Sequence, residues 1–311
     1  MKRIGIDVGG TGIQIGLVDE TFRIVEEDSV PTRTDLTFEQ QISQMASCVD
    51  RLLKKNGLQE NDVASIGAGI PGIAAEDGVV VKCTNMGWEH VPFRQEFQKH
   101  FHLPILIDND ANVAALAESV AGVSAGTSSS VFITIGTGIG SGIIINGKIW
   151  KGAHGIGGEL GHVIMNLDGV PCTCGNRGCL ERYCAATAVI RMGREAAMTH
   201  PESLLHQYSK NLDKITAKTV FEAAKTGDQA ALVVYHNFIN YLAQAIASVI
   251  NLLDPEIIVL GGGVSKAGDF LLDPLKKTYR KYVLFRDLPV PEIKIATLGS
   301  EAGIIGAAML T

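Results

Sequence analysis

Two stretches of this chain repeat one order of events: an alternating apolar strand, a glycine turn, then a second alternating strand. The first is IGIDVGGTGIQIGLVDE at residues 4–20, and the second is VFITIGTGIGSGIIINGKI at residues 131–149. Apolar residues every second position (Ile13, Ile15, Leu17) give each strand one buried face. The turns are almost bare of side chains, so backbone N–H groups there can approach phosphate oxygens, with Thr11 and Thr137 adding hydroxyl donors. A chain duplicated at this level, with helices between the copies, reads as α/β with two sheets.

Between the copies the pattern predicts a helix from about Thr37 to Asn56, a strand ending at Gly67-Ala68-Gly69-Ile70-Pro71, a helix over 93–100 and a strand over 105–107. Beyond the second copy the chain turns mainly helical. Phe238, Tyr241, Leu242, Ala245, Ile246, Val249, Ile250 and Leu253 keep the spacing of one helical face, and Asp254-Pro255 stops it. A short strand, Ile257 to Leu260, feeds Gly261-Gly262-Gly263, and a last strand and an Ala/Gly-rich helix over 301–310 follow. With 311 residues and 46% hydrophobic composition, two lobes are expected. The run Ala121 to Ser130, rich in Gly and Ser, is the best boundary between them.

Composition excludes some partners. A net charge of −6 with scattered Lys and Arg lacks the footprint of a nucleic-acid binder. The most apolar stretch, 238–253, is broken by Asn240, Gln244, Ser248 and Asn251, too many polar groups for a bilayer core. The start, Met-Lys-Arg followed by an alternating strand, carries no signal-peptide hydrophobic region, so the expected location is the cytoplasm.

Neither glycine turn is a Walker A loop, since no Lys-Ser or Lys-Thr follows at the right spacing, and neither opens a helix as a GxGxxG fingerprint does. Two such turns and Gly261-Gly262-Gly263 after a buried strand point to a nucleotide, not to P-loop or Rossmann binding. Asp7 lies inside an apolar strand just before the first turn, where an unpaired carboxylate costs several kcal/mol. It either caps the turn's own amides or serves Mg2+ beside the β and γ phosphates. Asp108, Asn109 and Asp110 follow a buried strand and precede a helix of Ala, Leu and Val. One of them suffices as an N-cap, and three exceed what a cap needs. If a sugar binds there, Asp110 is the candidate general base and Asn109 orients neighbouring hydroxyls.

Of six cysteines, Cys172, Cys174 and Cys179 cluster downstream of His162, while Cys48, Cys83 and Cys184 read as small core residues. One imidazole and three thiols form a soft tetrahedral set suited to structural zinc, which in a reducing compartment is favoured over disulfides. Such a metal would pin Glu159, His162 and Glu181 around one spot, leaving the second ring nitrogen of His162 free for a sugar hydroxyl.

DVGGTG at 7–12, GIPG at 69–72, TNMGW at 84–88, DNDANVAALAE at 108–118, IGTGIGSG at 135–142, GGELGH at 157–162, CTCGNRGCLE at 172–181 and LGGGV at 260–264 together resemble the ROK family of repressors, open reading frames and sugar kinases. The motifs run in family order across nearly the whole chain. The resemblance implies a two-lobed actin-like ATPase (ribonuclease H-like) fold with the active site in the interdomain cleft. It implies an N-terminal lobe over 1–120, completed by the C-terminal helix about 300–311, and a C-terminal lobe over 121–299 with the zinc site and nucleotide contacts. It implies that Asn85, Asn109, Asp110, Glu159, His162 and Glu181 meet the sugar, with Asp110 as base. Gly9, Gly10, Thr11, Gly136, Thr137, Gly138 and Gly261 to Gly263 would meet ATP, with Mg2+ at Asp7. Glucose is the expected substrate, because the full set of sugar contacts is present and the likeness to the family's glucokinases is greatest. Fructose, N-acetylmannosamine and allose remain as alternatives, and a homodimer or homotetramer is expected. A sugar-responsive repressor of the family would carry a helix-turn-helix segment ahead of the first motif, which here begins at residue 7.

Overall fold

The computed structural model describes residues 1–311. They form two compact units, the first built from Met1–Phe132, Gly142–Gly158 and Thr297–Thr311, the second from Ile133–Ser141 and Glu159–Ala296. The chain therefore leaves the first unit after Phe132, just past the run Ala121 to Ser130, where the resemblance implied 120, and residues 142–158 return to it.

In the first unit, β1 (Lys2–Val8) and β2 (Gly12–Val18) form the predicted hairpin, and β3 (Ile24–Pro31) extends it. Helix α1 (Phe38–Lys55) starts where Thr37 accepts from Gln40 N and Gln40 answers to the Thr37 amide, a reciprocal capping box. Then follow β4 (Val63–Ile70), three short strands β5 (Ile73–Ala74), β6 (Val80–Cys83) and β7 (Trp88–Val91), helix α2 (Phe93–Phe97), β8 (Ile105–Asn109) and α3 (Asp110–Val120). The main sheet has the order β3-β2-β1-β4-β8, and β1, β4 and β8 run parallel. The small strands make a third sheet, β5-β6-β7, where the sequence suggested only two sheets. Elements of two to four residues are too short to show a period. Helix α2 stops at Phe97, short of 100, because Lys99 N and His100 N bond to the carbonyls three residues back and tighten the last turn.

Strands β9 (Ser129–Ile135) and β10 (Ile139–Ile145) form the second predicted hairpin, and β11 (Lys148–Ile149) pairs with β10. The second unit continues with α4 (Glu181–Cys184), α5 (Ala186–Thr199), α6 (Leu205–Tyr208), α7 (Ala217–Lys225), α8 (Gln229–Leu253), β12 (Ile257–Gly261), α9 (Asp269–Thr278) and β13 (Glu292–Ile295). The second sheet has the order β11-β10-β9-β12-β13. Helix α8 begins nine residues before Phe238, because Asp228 caps it through Ala231 N and Ala230, Ala231, Val234 and Tyr235 carry the buried face backwards. It ends where expected, with Asp254 in the left-handed region at φ 43°. No helix is long and apolar enough to cross a membrane.

The last helix, α10 (Ala302–Ala308), returns to the first unit and lies against β1, β4 and α3. Its approach depends on missing side chains in the sheet. A Cβ on Gly5 would lie 1.9 Å from the carbonyl oxygen of Ile304, and one on Gly67 would lie 1.8 Å from that of Ala307. The first unit's core, including Ile4, Ile6, Ile66, Met45, Phe93 and Phe97, fills the space around the main sheet.

Candidate active site and metal centre

In the first unit the β1–β2 turn is closed by Gly9 N donating to the Gly12 carbonyl at 3.1 Å, and Thr32 Oγ1 donates to the Gly9 carbonyl at 2.6 Å. Gly10 and Thr11 at its tip are exposed. Asn85, in the single turn Thr84–Met86, comes to this turn: its Nδ2 would be 3.7 Å from a Cβ on Gly10. Asp7 is not a cap for the turn. Burial alone pushes its carboxyl above the ordinary aspartate value, and no donor or cation reaches it. A half-buried carboxylate without a partner beside a glycine turn fits a hard divalent cation, so Asp7 is suited to hold Mg2+.

The DNDAN segment divides its labour. Asn109, not either Asp, is the N-cap of α3: its Oδ1 accepts from Ala111 N and Asn112 N, while its Nδ2 donates to the Gly72 carbonyl at 3.0 Å. That last bond ties GIPG to DNDAN, a pairing with no local sequence signal. Asp108 is buried; its Oδ1 accepts from Asn109 N and Asn112 Nδ2, and its Oδ2 lies 2.8 Å from Lys151 Nζ in an ion pair. Lys151 escaped the sequence reading, since nothing near it marks a partner at residue 108. Asp110 is the first residue of α3 and exposed, with its Oδ1 accepting from Ala111 N at 2.9 Å. Its charge reaches Cys83, whose thiol is raised chiefly by burial and further by Asp110. Asp110 thus stands at a helix N-terminus on a strand end, a rigid mount for a carboxylate facing solvent.

In the second unit the β9–β10 turn, Gly136 to Gly138, is anchored from behind. Ala186 N donates to the Gly136 carbonyl and Thr187 Oγ1 to the Thr137 carbonyl, both at 2.8 Å. Gly262, at φ 82°, lets the loop after β12 lie on this turn, for a Cβ there would be 2.5 Å from the Ile135 carbonyl oxygen. The fold therefore brings Gly136 to Gly138 and Gly261 to Gly263 side by side. Glu181 joins them, its Oε2 3.1 Å from where a Gly138 Cβ would stand.

The same unit gathers the Cys/His set. Residues 163–166 run beside 178–180, with Leu180 N donating to the Val163 carbonyl, Met165 N to that of Gly178, and a bridge between Ile164 and Cys179. Cys174 Sγ and Cys179 Sγ are 3.6 Å apart, Cys172 Sγ and His162 Nδ1 are 3.7 Å apart, and all four donor atoms lie within 4.8 Å of one another. Tetrahedral zinc with bonds of about 2.3 Å to sulfur sets its sulfurs ~3.8 Å apart, so the cluster fits that ion in donor type and spacing. The Asn176 amide draws the exposed Cys174 thiol down to about 7, while burial pushes Cys179 up to about 12. Cys172 Sγ donates to Glu181 Oε1 at 3.1 Å, and Glu159 opens the turn that carries His162, whose amide bonds to the Glu159 carbonyl. Glu159, His162 and Glu181 are thus held to the loop system that carries the Cys/His set.

The chain is 40% identical over 312 residues to a glucokinase of Halalkalibacterium halodurans, covering 99% of this chain and 94% of that one. Among solved structures, a ROK family glucokinase from Streptomyces griseus in complex with glucose and AMPPNP superposes with a TM-score of 0.82 at 33% identity, covering 99% of this chain and 98% of that one. The ROK hexokinase from Thermus thermophilus gives 0.85 at 32% identity, with 99% and 97% covered. The actin-like α/β fold of the ROK sugar kinases is therefore the fold of this chain. Glycine turns, capped DNDAN strand end and Cys/His loop all fall inside residues 3–311, the span over which the family's sequence profile matches, and the chain belongs to the ROK family.

Proposed function

We propose that this chain is an ATP-dependent glucokinase that moves the γ-phosphoryl group of ATP to the 6-hydroxyl of glucose. Full-length likeness to a glucokinase at 40% identity, and to a ROK glucokinase solved with glucose and AMPPNP, supports the substrate pair. The observation that carries the reaction is the solvent-facing carboxylate of Asp110 on the first turn of α3, fixed through the Asn109 cap and the Asn109 bond to Gly72. Asp110 accepts the proton of the 6-hydroxyl as that oxygen bonds to the γ-phosphorus; the bond from the γ-phosphorus to the β–γ bridging oxygen breaks, and ADP leaves with the electron pair. The proton then passes from Asp110 to water. Asn85, Asn109, Glu159, His162 and Glu181 are assigned to the remaining sugar hydroxyls. The amides of Gly9, Gly10, Thr11, Gly136, Thr137 and Gly138, with Gly261 to Gly263, are assigned to the phosphates and nucleotide. Asp7 would hold Mg2+, which when bound would neutralise charge on the β and γ phosphates. Zinc on His162, Cys172, Cys174 and Cys179 is structural. A cytoplasmic homodimer or homotetramer is the proposed form.

A coupled ADP-release assay over glucose, fructose, N-acetylmannosamine and allose tests the proposal. Glucose should give the highest kcat/KM, and Asp110→Ala should lower kcat by about 10²- to 10⁴-fold with glucose affinity kept. Turnover retained in Asp110→Ala removes its role as base, and ADP release that no hexose raises above the sugar-free rate removes the kinase.

A further inference from the structure

Helix α10 does more than cover the first unit's sheet. Gly303 stands directly over Asp7: a Cβ built there would lie 2.3 Å from both Cγ and Oδ2 of Asp7 and 2.8 Å from its Cβ. The space in which the orphaned carboxylate rests is therefore bounded by the backbone of α10, and it exists because residue 303 carries no side chain.

The position of α10 is in turn fixed from a distance. Glu118, near the end of the helix that begins with Asp110, is 0% exposed and has no cationic partner. Its Oε1 accepts from Thr297 N at 2.8 Å and Leu298 N at 2.9 Å, and its Oε2 accepts from Val123 N at 2.9 Å and Thr297 Oγ1 at 3.2 Å. Four donors converging on one buried carboxyl group, two of them the amides of residues 297 and 298, fix that stretch of chain firmly. Thr297 is the residue at which the chain re-enters the first unit, and the short turn Gly299–Glu301 leads from there into α10. Gly122 is bare for the same purpose, since a Cβ there would lie 2.0 Å from Glu118 Oε2. The carboxylate that ends the DNDANVAALAE motif thus sets where α10 begins, and α10 sets the room left to Asp7.

We infer that Gly303 and Glu118 are positioning residues for the divalent-cation site, holding the Asp7 carboxylate in the one orientation in which it receives Mg2+ with the nucleotide. The inference rests on the reading of Asp7 as the Mg2+ carboxylate. In Gly303→Ala the new methyl overlaps the Asp7 carboxyl and also stands 2.8 Å from its Cβ, so the carboxylate turns aside and α10 gives slightly. In Glu118→Gln one acceptor oxygen becomes an amide facing N–H donors, and the start of α10 shifts.

The test is calorimetric Mg2+ binding to the ADP complex of the intact chain, run beside glucose-dependent turnover. Loss of a supporting partner around a metal ligand costs roughly 10- to 100-fold in affinity. Gly303→Ala should weaken Mg2+ binding by about that factor and Glu118→Gln by about 3- to 10-fold, each with glucose affinity within about twofold of the parent. Val49→Ala, which hollows the same unit's core at α1 away from α10, should lower the melting temperature and leave Mg2+ affinity unchanged. Parental Mg2+ affinity in both variants overturns the inference, as does equal weakening in Val49→Ala at matched melting loss or a parent that binds no Mg2+ with ADP. Should Gly303→Ala prove insoluble, Glu118→Gln decides alone. The calorimetry needs no turnover, so a parent that binds Mg2+ and phosphorylates no hexose refutes the kinase reading and leaves the role of α10 to stand or fall on the two variants.

Discussion

Replacing Asp7 by Asn should make the protein more stable and less active at once. The Asp7 carboxyl is raised by burial, with no hydrogen bond or charge to offset the desolvation, so in the metal-free protein its ionised form is a liability. Asparagine keeps the shape and removes the charge but is itself unpaired, so the gain is only the difference between burying a charge and burying an amide. That difference is about 1 kcal/mol, or ~2–4 °C in melting temperature for a chain of this class. A carboxyl whose folded value lies above its unfolded value favours the fold while protonated and loses that contribution as the pH rises through the folded value. The advantage of Asp7→Asn over the parent should therefore be present at neutral pH and vanish as the pH falls below the range in which Asp7 ionises. Mg2+ with ADP should raise the parent's melting temperature and leave that of Asp7→Asn nearly unmoved, and turnover should fall by about 10²-fold or more as the metal's electrostatic contribution is lost. Thermal melts from pH 4 to 8, with and without Mg2+ and ADP, read all of this. A variant that melts lower than the parent at neutral pH would refute the reasoning, for it would mean that Asp7 has a partner in the folded chain.

Lys151→Met should cost about 1–3 kcal/mol, less than the loss of a fully buried pair because the lysine is 28% exposed while Asp108 is 4% exposed. Chemical denaturation measures it, and unchanged stability would mean that the Asn112 and Asn109 donors satisfy Asp108 without the cation. Purified protein should carry about one zinc per chain by elemental analysis, and its removal should lower the melting temperature and the activity together, since Glu159, His162 and Glu181 hang on the same loop system. Unchanged melting and turnover in a zinc-free sample would count against a metal there.

What the sequence could show was whatever depends on neighbours along the chain. Both glycine hairpins, the helix start near Thr37, the stop at Asp254 and the Cys/His set all arise within short segments, where period and ligand spacing are written locally. The β5-β6-β7 sheet was illegible because its strands are too short to alternate. The choice among Asp108, Asn109 and Asp110 as the cap of α3 was open in the sequence, and packing decided it: Asp108 turned inward to Lys151, leaving Asn109 to bond the helix amides. Glu118 reads as an ordinary helical residue until Thr297 arrives beside it, 179 positions later. Gly303 reads as a weak point in a helix until Asp7 is found beneath it.

The scatter of the first unit along the chain has a consequence for its birth. Its main sheet is complete once β8 has been made, yet the face around Gly5 and Gly67 receives its cover only when residues 302–308 have left the ribosome. At about 5–20 residues per second, the nearly two hundred intervening residues take roughly 10–40 s, during which the glycine-lined face that α10 covers stands open to water. Completion of the first unit therefore waits on the end of the chain and not on the strand that finishes its sheet.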